Sequence, residues 1–324
     1  MRFFVIGLGS MGKRRIRNLQ FLGENDIIGF DTQEKRLKEC NEKYKIKTYS
    51  DIRDAIKENP DVFIISTPPD HHIGYEFLAT ANNKPFFCEA GVSSVGLNEL
   101  IAECRKRKIF AAPSATFRFN SSVIKIKEII SSGEIGNPVS LTYHMGQYLP
   151  DWHPYENIKD FYVGKPETAA TREMVPFELE WLTWIFGDIS EIFCIRGKVS
   201  SLPVEINDVY QTIFRFESGV IGHLLVEVVS RTPVRSLRVV CEEGTIEWDW
   251  LEDTVNVFSV SNKKWVNYKG SEHVKENGYI SKEDMYIEEI RCFIETIKGN
   301  SRYPFSLEEY LKVLKLLESA EKNS

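Results

Sequence analysis

The chain opens on an uninterrupted apolar run, Phe3-Phe4-Val5-Ile6, bounded by Arg2 and Gly7. It is too short for a buried helix and reads as a strand covered on both faces. A helical period follows, with Ile16, Leu19 and Leu22 on one face of the segment 13–22. Strand and helix patterns then alternate. Ile27-Ile28-Gly29-Phe30, Val62-Phe63-Ile64-Ile65, Phe86-Phe87-Cys88 and Ile109-Phe110-Ala111 have strand character, and helical spacing is found at 55–58, at about 73–81 and at 97–107. Apolar strands separated by helices predict a doubly wound parallel sheet up to about Ala115. From about Phe117 the period changes. After one helix over 121–131, the runs at 139–144, 210–216, 220–229, 236–240 and 245–250 alternate apolar and polar positions, which predicts an open antiparallel or mixed sheet with one covered face. Helical segments at 285–297 and 306–321 close the pattern, and no internal repeat is visible.

The first turn carries the first chemical signal. Gly7-Leu8-Gly9-Ser10-Met11-Gly12 is a Gly-x-Gly-x-x-Gly sequence set between a strand and a helix. In a dinucleotide fold Gly7 permits the tight turn, Gly9 admits a pyrophosphate close to the backbone, and Gly12 lets the helix pack on the strand. Ser10 and Met11 open the helix whose N-terminus receives the anion. Asp31 ends the second strand, 19 residues beyond Gly12. A carboxylate there accepts hydrogen bonds from a free ribose 2′-hydroxyl and repels a 2′-phosphate, so NAD is expected in preference to NADP. Lys35 and Arg36 could serve a phosphate; they are read instead as a solvated helix face. The expected fold is therefore α/β: an N-terminal Rossmann domain with a doubly wound parallel sheet over 1–118, and a C-terminal α/β domain with a large open mixed or antiparallel sheet over 119–324.

Composition narrows the partners. The 324 residues are 42% hydrophobic and 27% charged, with a formal net charge of −6. That balance, with no concentrated basic stripe, argues against nucleic acid; Arg105-Lys106-Arg107-Lys108 reads as a solvated helix end. No apolar stretch approaches the length of a membrane span and the chain enters a strand directly, so a cytoplasmic protein with no membrane partner is expected. The six cysteines are scattered, with no CxxC pair and no histidine at metal-ligand spacing. Reduced thiols and no metal are expected.

Beyond the glycine motif, Ser66-Thr67-Pro68-Pro69-Asp70-His71-His72 and Gly133-Glu134-Ile135-Gly136-Asn137-Pro138-Val139, the latter after Phe117-Arg118-Phe119-Asn120 and a helix, give the chain a family likeness. It resembles the Gfo/Idh/MocA family of NAD(P)-dependent sugar and cyclitol dehydrogenases. The resemblance places Thr67, Pro68 and His72 beside the nicotinamide ribose, and Glu89 there too, with the capping of a turn as the alternative role for Glu89. It implies that the open sheet forms a homodimer or homotetramer interface. Asp70 is read as a helix N-cap, and Trp181, Trp184 and Phe186 as core.

Two departures stand out against that resemblance. The family usually reads Glu-Lys-Pro after this strand, with the lysine on the reacting hydroxyl; here the residues are Glu89-Ala90-Gly91. Aligning Trp184-Ile185-Phe186-Gly187 with the family's Trp-Leu-Phe-Gly puts Glu173 at the acidic position upstream and Phe177 where the catalytic histidine usually stands. Hydride transfer belongs to the cofactor, but oxidising a hydroxyl requires a group to take its proton. The segment 143–154, rich in polar and aromatic residues, offers His144 and His153, with Tyr148 and Asp151 in support; Glu173 is the third candidate, as base or as plain hydroxyl acceptor. Two functions follow. One is an NAD-dependent oxidoreductase acting on a sugar, nucleotide sugar or polyol with non-standard acid–base residues. The other is a catalytically silent nucleotide-binding member serving as sensor or assembly subunit.

Overall fold

In a computed structural model of the protein, which describes residues 1–152, 157–270 and 283–324, the first alternation resolves into six parallel strands. They are β1 (Phe3–Ile6), β2 (Ile27–Phe30), β3 (Lys47–Tyr49), β4 (Val62–Ile65), β5 (Phe86–Cys88) and β6 (Ala111–Pro113). Their spatial order is β3-β2-β1-β4-β5-β6, so the order reverses between β1 and β4. In open α/β sheets that reversal is where ligands bind, at the carboxyl ends of the strands. Strands β1 and β4 are buried at every position, as their unbroken apolar sequence requires. The crossovers carry α1 (Ser10–Phe21), α2 (Glu34–Tyr44), α3 (Ile52–Lys57), α4 (His72–Ala81) and α5 (Leu97–Arg107). Strand β3 escapes the sequence pattern because it is a three-residue edge strand, Lys-Thr-Tyr, with no buried residue.

The second sheet follows α6 (Ser121–Ser132). Its strands are β7 (Pro138–Gly146), then, after α7 (Ala170–Phe186), β8 (Ile189–Gly197), β9 (Val209–Phe216), β10 (Ile221–Glu227), β11 (Val234–Cys241), β12 (Gly244–Asp249), β13 (Thr254–Ser259) and β14 (Lys264–Lys269). The order β14-β13-β12-β11-β7-β10-β9-β8 contains one parallel pairing, β7 with β10, so the sheet is mixed. Alternate residues Leu141, Tyr143, Phe214, Leu224, Leu237 and Trp248 are buried on one face, with Trp181 of α7 against Tyr143 and Trp248. The other face stays open and carries Phe193, Ile195, Ile213 and Ile221. Those exposed apolar side chains disguise β8, where apolar residues fall on both faces, and β14 is an edge strand with almost nothing buried.

Helices α8 (Glu283–Ile297) and α9 (Leu307–Lys322) complete the described residues. Met1–Thr116 and 283–312 make one compact unit; 117–270 and Val313–Ser324 make the other. Among the described residues no helix is long and apolar enough to cross a membrane, and no group of histidine, cysteine and acidic side chains could hold a metal ion.

Candidate active site

The turn from β1 into α1 shows why three glycines are needed. Gly7 has φ of 89°, and a Cβ there would lie 2.6 Å from the Ser66 carbonyl oxygen. On Gly12 it would lie 1.8 Å from the Gly7 carbonyl oxygen. Gly9 differs, since a Cβ there would meet only the Arg36 guanidinium, at 3.8 Å. Its backbone is thus open to an approaching group. Gly9 is also the N-cap of α1 and supplies no side-chain cap, which leaves first-turn amides at Ser10 and Met11 suited to an anion.

Asp31 is only 5% exposed and is held rigidly at the end of β2. Its Oδ2 accepts from the Leu8 N–H and its Oδ1 from the Gln33 N–H, both at 2.8 Å. Lys35 is solvated, as read from the sequence. Arg36 is not: its guanidinium turns back to within 3.5 Å of Asp31 Oδ2. The helical pattern could not separate these neighbours, because an arginine at a helix start is long enough to reach inward from a half-exposed position.

At the ends of β4 and β5 the remaining cofactor candidates come together. His72 Nε2 lies 2.8 Å from the Thr67 carbonyl oxygen, which fixes that nitrogen as the donor and leaves Nδ1 an acceptor. Nδ1 is buried without a partner, as is Thr67 Oγ1. Burial holds the His72 pKa below the usual histidine range, outweighing the Thr67 carbonyl and Glu89. Pro68 precedes a single turn of 3-10 helix, Pro69–His71, and Asp70 lies inside that turn. The N-cap of α4 is His71, with no side-chain cap, so the expected capping role of Asp70 is not observed. Glu89 takes a bidentate pair from Arg15, at 2.7 and 2.9 Å, and a hydrogen bond from Ser66 Oγ at 3.2 Å. Arg15, wholly buried, also pairs with Glu289 at 2.8 Å. That second carboxylate accepts from the Ala115 N–H and from the hydroxyls of Ser114 and Thr116. Sequence reading missed Arg15 and Glu289; the available signal was an arginine on the apolar face of α1, adjoining Ile16.

In the other unit, β7 runs through Gly146, two residues beyond the expected run 139–144, so Tyr143 and His144 are strand residues. The Tyr143 hydroxyl donates to Glu178 of α7 at 2.7 Å, which turns His144 to the opposite, open face. There His144 Nε2 lies 3.1 Å from Glu227 Oε1. Burial alone would raise the Glu227 pKa, but hydrogen bonds from His144, Ser230 and the Val229 and Ser230 amides outweigh it and bring it down to about 2. Glu173 sits in the first turn of α7, on the covered side of the sheet, with the Tyr162 hydroxyl 3.5 Å from Oε1. Its neighbour Arg172 is engaged by Glu321 at 2.8 and 3.1 Å. His144 and Glu173 are thus on opposite faces, and His153 lies outside the described residues. Phe177 packs edge-on against Phe117, with ring centroids 5.4 Å apart, and Trp184 is only partly buried. Gly91 is close-packed as well, since a Cβ there would lie 2.5 Å from the Tyr310 hydroxyl.

Two family models match the chain. Residues 1–112 match the oxidoreductase family's NAD-binding Rossmann fold, and residues 123–247 match the GFO/IDH/MocA C-terminal domain. The chain belongs to the GFO/IDH/MocA oxidoreductase family. The myo-inositol 2-dehydrogenase of Thermotoga maritima is 25% identical over 341 residues, spanning all of this chain and 96% of that protein. An Agrobacterium radiobacter oxidoreductase solved with NAD+, L-tartaric acid and magnesium superposes with a TM-score of 0.88 at 16% identity, covering all of this chain and 96% of that one. A levoglucosan dehydrogenase solved with NADH and levoglucosan gives 0.85 at 16% identity, with 100% and 98% covered. The residues described above fit the NAD of such an oxidoreductase. An open backbone at Gly9, a fixed carboxylate at Asp31, and two buried polar atoms without partners at Thr67 and His72 are what a dinucleotide would complete.

Proposed function

We propose that this family member transfers a hydride between NAD and a hydroxyl-bearing or carbonyl carbon of a sugar, nucleotide sugar or polyol, with acid–base residues unlike the family's usual lysine and histidine. The intact dinucleotide apparatus, above all the open backbone at Gly9 beside the fixed Asp31 carboxylate, carries this reading. The substrate class is supported by relatives named as myo-inositol and levoglucosan dehydrogenases. When bound, NAD supplies the hydride acceptor or donor. Gly7, Gly9, Ser10, Met11 and Gly12 would hold its pyrophosphate, and Asp31 the adenosine ribose. Thr67, Pro68, His72 and Glu89 would hold the nicotinamide ribose, with the bidentate Arg15 pair orienting Glu89.

The proton is assigned to Glu173. It stands at the family's acidic position upstream of Trp184-Ile185-Phe186-Gly187, in the first turn of α7, and of the catalytic candidates among the described residues it is the one on the α7 side of the sheet. Oxidation would send the substrate's hydroxyl proton to the Glu173 carboxylate as the hydride leaves the same carbon. His144, locked to Glu227 on the open face, is placed with the proposed homodimer or homotetramer interface instead. Six unpaired cysteines, five of them buried, support a reducing, cytoplasmic setting.

Replacing Glu173 by Gln preserves shape and removes the base. The expected result is a fall in kcat of about two to four orders of magnitude with unchanged NADH affinity. A rise in KM alone would make Glu173 a binding residue, and a loss that follows His153→Ala instead would move the proton there. The alternative of a catalytically silent member is favoured by one observation: where the catalytic histidine usually stands in the family, the Phe177 ring is packed edge-on against Phe117. Tight NADH binding with no turnover of any carbohydrate or polyol would select it.

A further inference from the structure

Cofactor choice in this fold is ordinarily decided by the carboxylate after the second strand, whose charge rejects a 2′-phosphate. Here that carboxylate does not act alone. Arg36 Nη1 lies 3.5 Å from Asp31 Oδ2, and the same guanidinium is the first group that a Cβ on Gly9 would meet, at 3.8 Å. One cationic group therefore stands by both the phosphate-binding turn and the ribose-binding carboxylate. Its side chain is 25% exposed, against 5% for Asp31, so it forms the solvent side of the pair. Helix α2 is fixed where Arg36 can reach: Lys13 of α1 bridges to Glu39 at 2.5 Å. Asp31 is itself immobilised by the Leu8 and Gln33 amides, so the pair cannot separate by the carboxylate swinging away.

We propose that Arg36 is a specificity-determining residue that admits the 2′-phosphate of NADP alongside NAD. The physical argument is local charge. An unaccompanied Asp31 presents a net negative charge to the ribose 2′-position; the Asp31–Arg36 pair presents none, and its outer member is a planar donor suited to phosphate. A 2′-hydroxyl uses the carboxylate and a 2′-phosphate uses the guanidinium. The pair thus discriminates weakly where a lone carboxylate discriminates strongly.

The test uses the intact protein and two probes without a nicotinamide ring, ADP-ribose and 2′-phospho-ADP-ribose, so its result is independent of whether the protein turns over any substrate. Titration calorimetry on the wild type is expected to show both binding, with Kd values within about tenfold of one another. Arg36→Ala is expected to weaken the phosphorylated probe at least tenfold while changing the other less than threefold, and Arg36→Lys to retain part of the preference. Because Arg36→Lys keeps the charge and reach, it remains informative if the alanine variant folds poorly. Failure of the wild type to bind the phosphorylated probe overturns the proposal. So does an equal loss of both probes in Arg36→Ala, which would make the arginine a pyrophosphate or packing residue.

Discussion

Gly9 and Gly12 stand in one turn for different reasons, and substitution separates them. A methyl group at Gly12 would overlap the Gly7 carbonyl oxygen, so Gly12→Ala is expected to cost ~2 kcal/mol or more of stability. At Gly9 the nearest neighbour is the movable end of Arg36, so Gly9→Ala should fold with stability within ~1 kcal/mol of the parent. It should still weaken NADH by roughly tenfold or more, because the methyl occupies the approach of the pyrophosphate. Thermal unfolding with calorimetric titration checks both; a Gly9→Ala protein that binds NADH normally would remove this turn from the cofactor site. The glycines and Asp31 were legible in the sequence because their constraints are local: a turn, a helix start, a strand end. Arg15, Glu89 and Glu289 were not legible as a unit. Their pairing joins positions 74 and 274 residues from Arg15, and only folding brings them together.

At the scale of the element, α4 carries a buried acid with a consequence for stability. Glu76, one turn beyond His72, is buried, and desolvation raises its pKa from 4.5 to about 7, opposed by a hydrogen bond with Cys88. The folded state therefore binds this proton more tightly than the unfolded chain. Its stabilising contribution is full below pH 4.5 and is lost as the pH rises towards about 7. Glu76→Gln keeps the neutral shape and removes the titration. The variant should match the parent near pH 4.5 and exceed it above pH 7, by up to ~3 kcal/mol. Equal melting temperatures at both pH values would show that Glu76 does not titrate in this window. Elements with a strong period were visible beforehand: α5 runs over the expected residues, and β9 and β12 were recognised from their alternation. Strand β8 was hidden by Phe193 and Ile195 on its open face, 56% and 82% exposed, which make a one-sided strand look apolar throughout.

At the scale of the molecule, that open face is the feature left unresolved by a single chain. Phe193, Ile195, Ile213 and Ile221 lie on neighbouring strands β8, β9 and β10, with Phe193 opposite Ile213 in register. Exposed apolar rows of this kind mark an interaction surface, and the proposed homo-oligomer would cover them. Replacing Ile195 and Ile213 by Lys should give a monomer in sedimentation velocity without loss of NADH binding, since both residues belong to the second unit. An unchanged sedimentation coefficient would place the interface elsewhere. The central claim, hydride exchange between NAD and a carbohydrate-like carbon, is tested most directly by isotope transfer. The protein would be incubated with NAD+ and a panel of polyols and sugars carrying deuterium on their hydroxyl-bearing carbons, and the cofactor analysed by mass spectrometry. Deuterium in the reduced nicotinamide with at least one substrate is the predicted result. Tight cofactor binding with no label transferred from any of them, and none in the reverse direction, would contradict the claim and leave a nucleotide-binding protein without its redox chemistry.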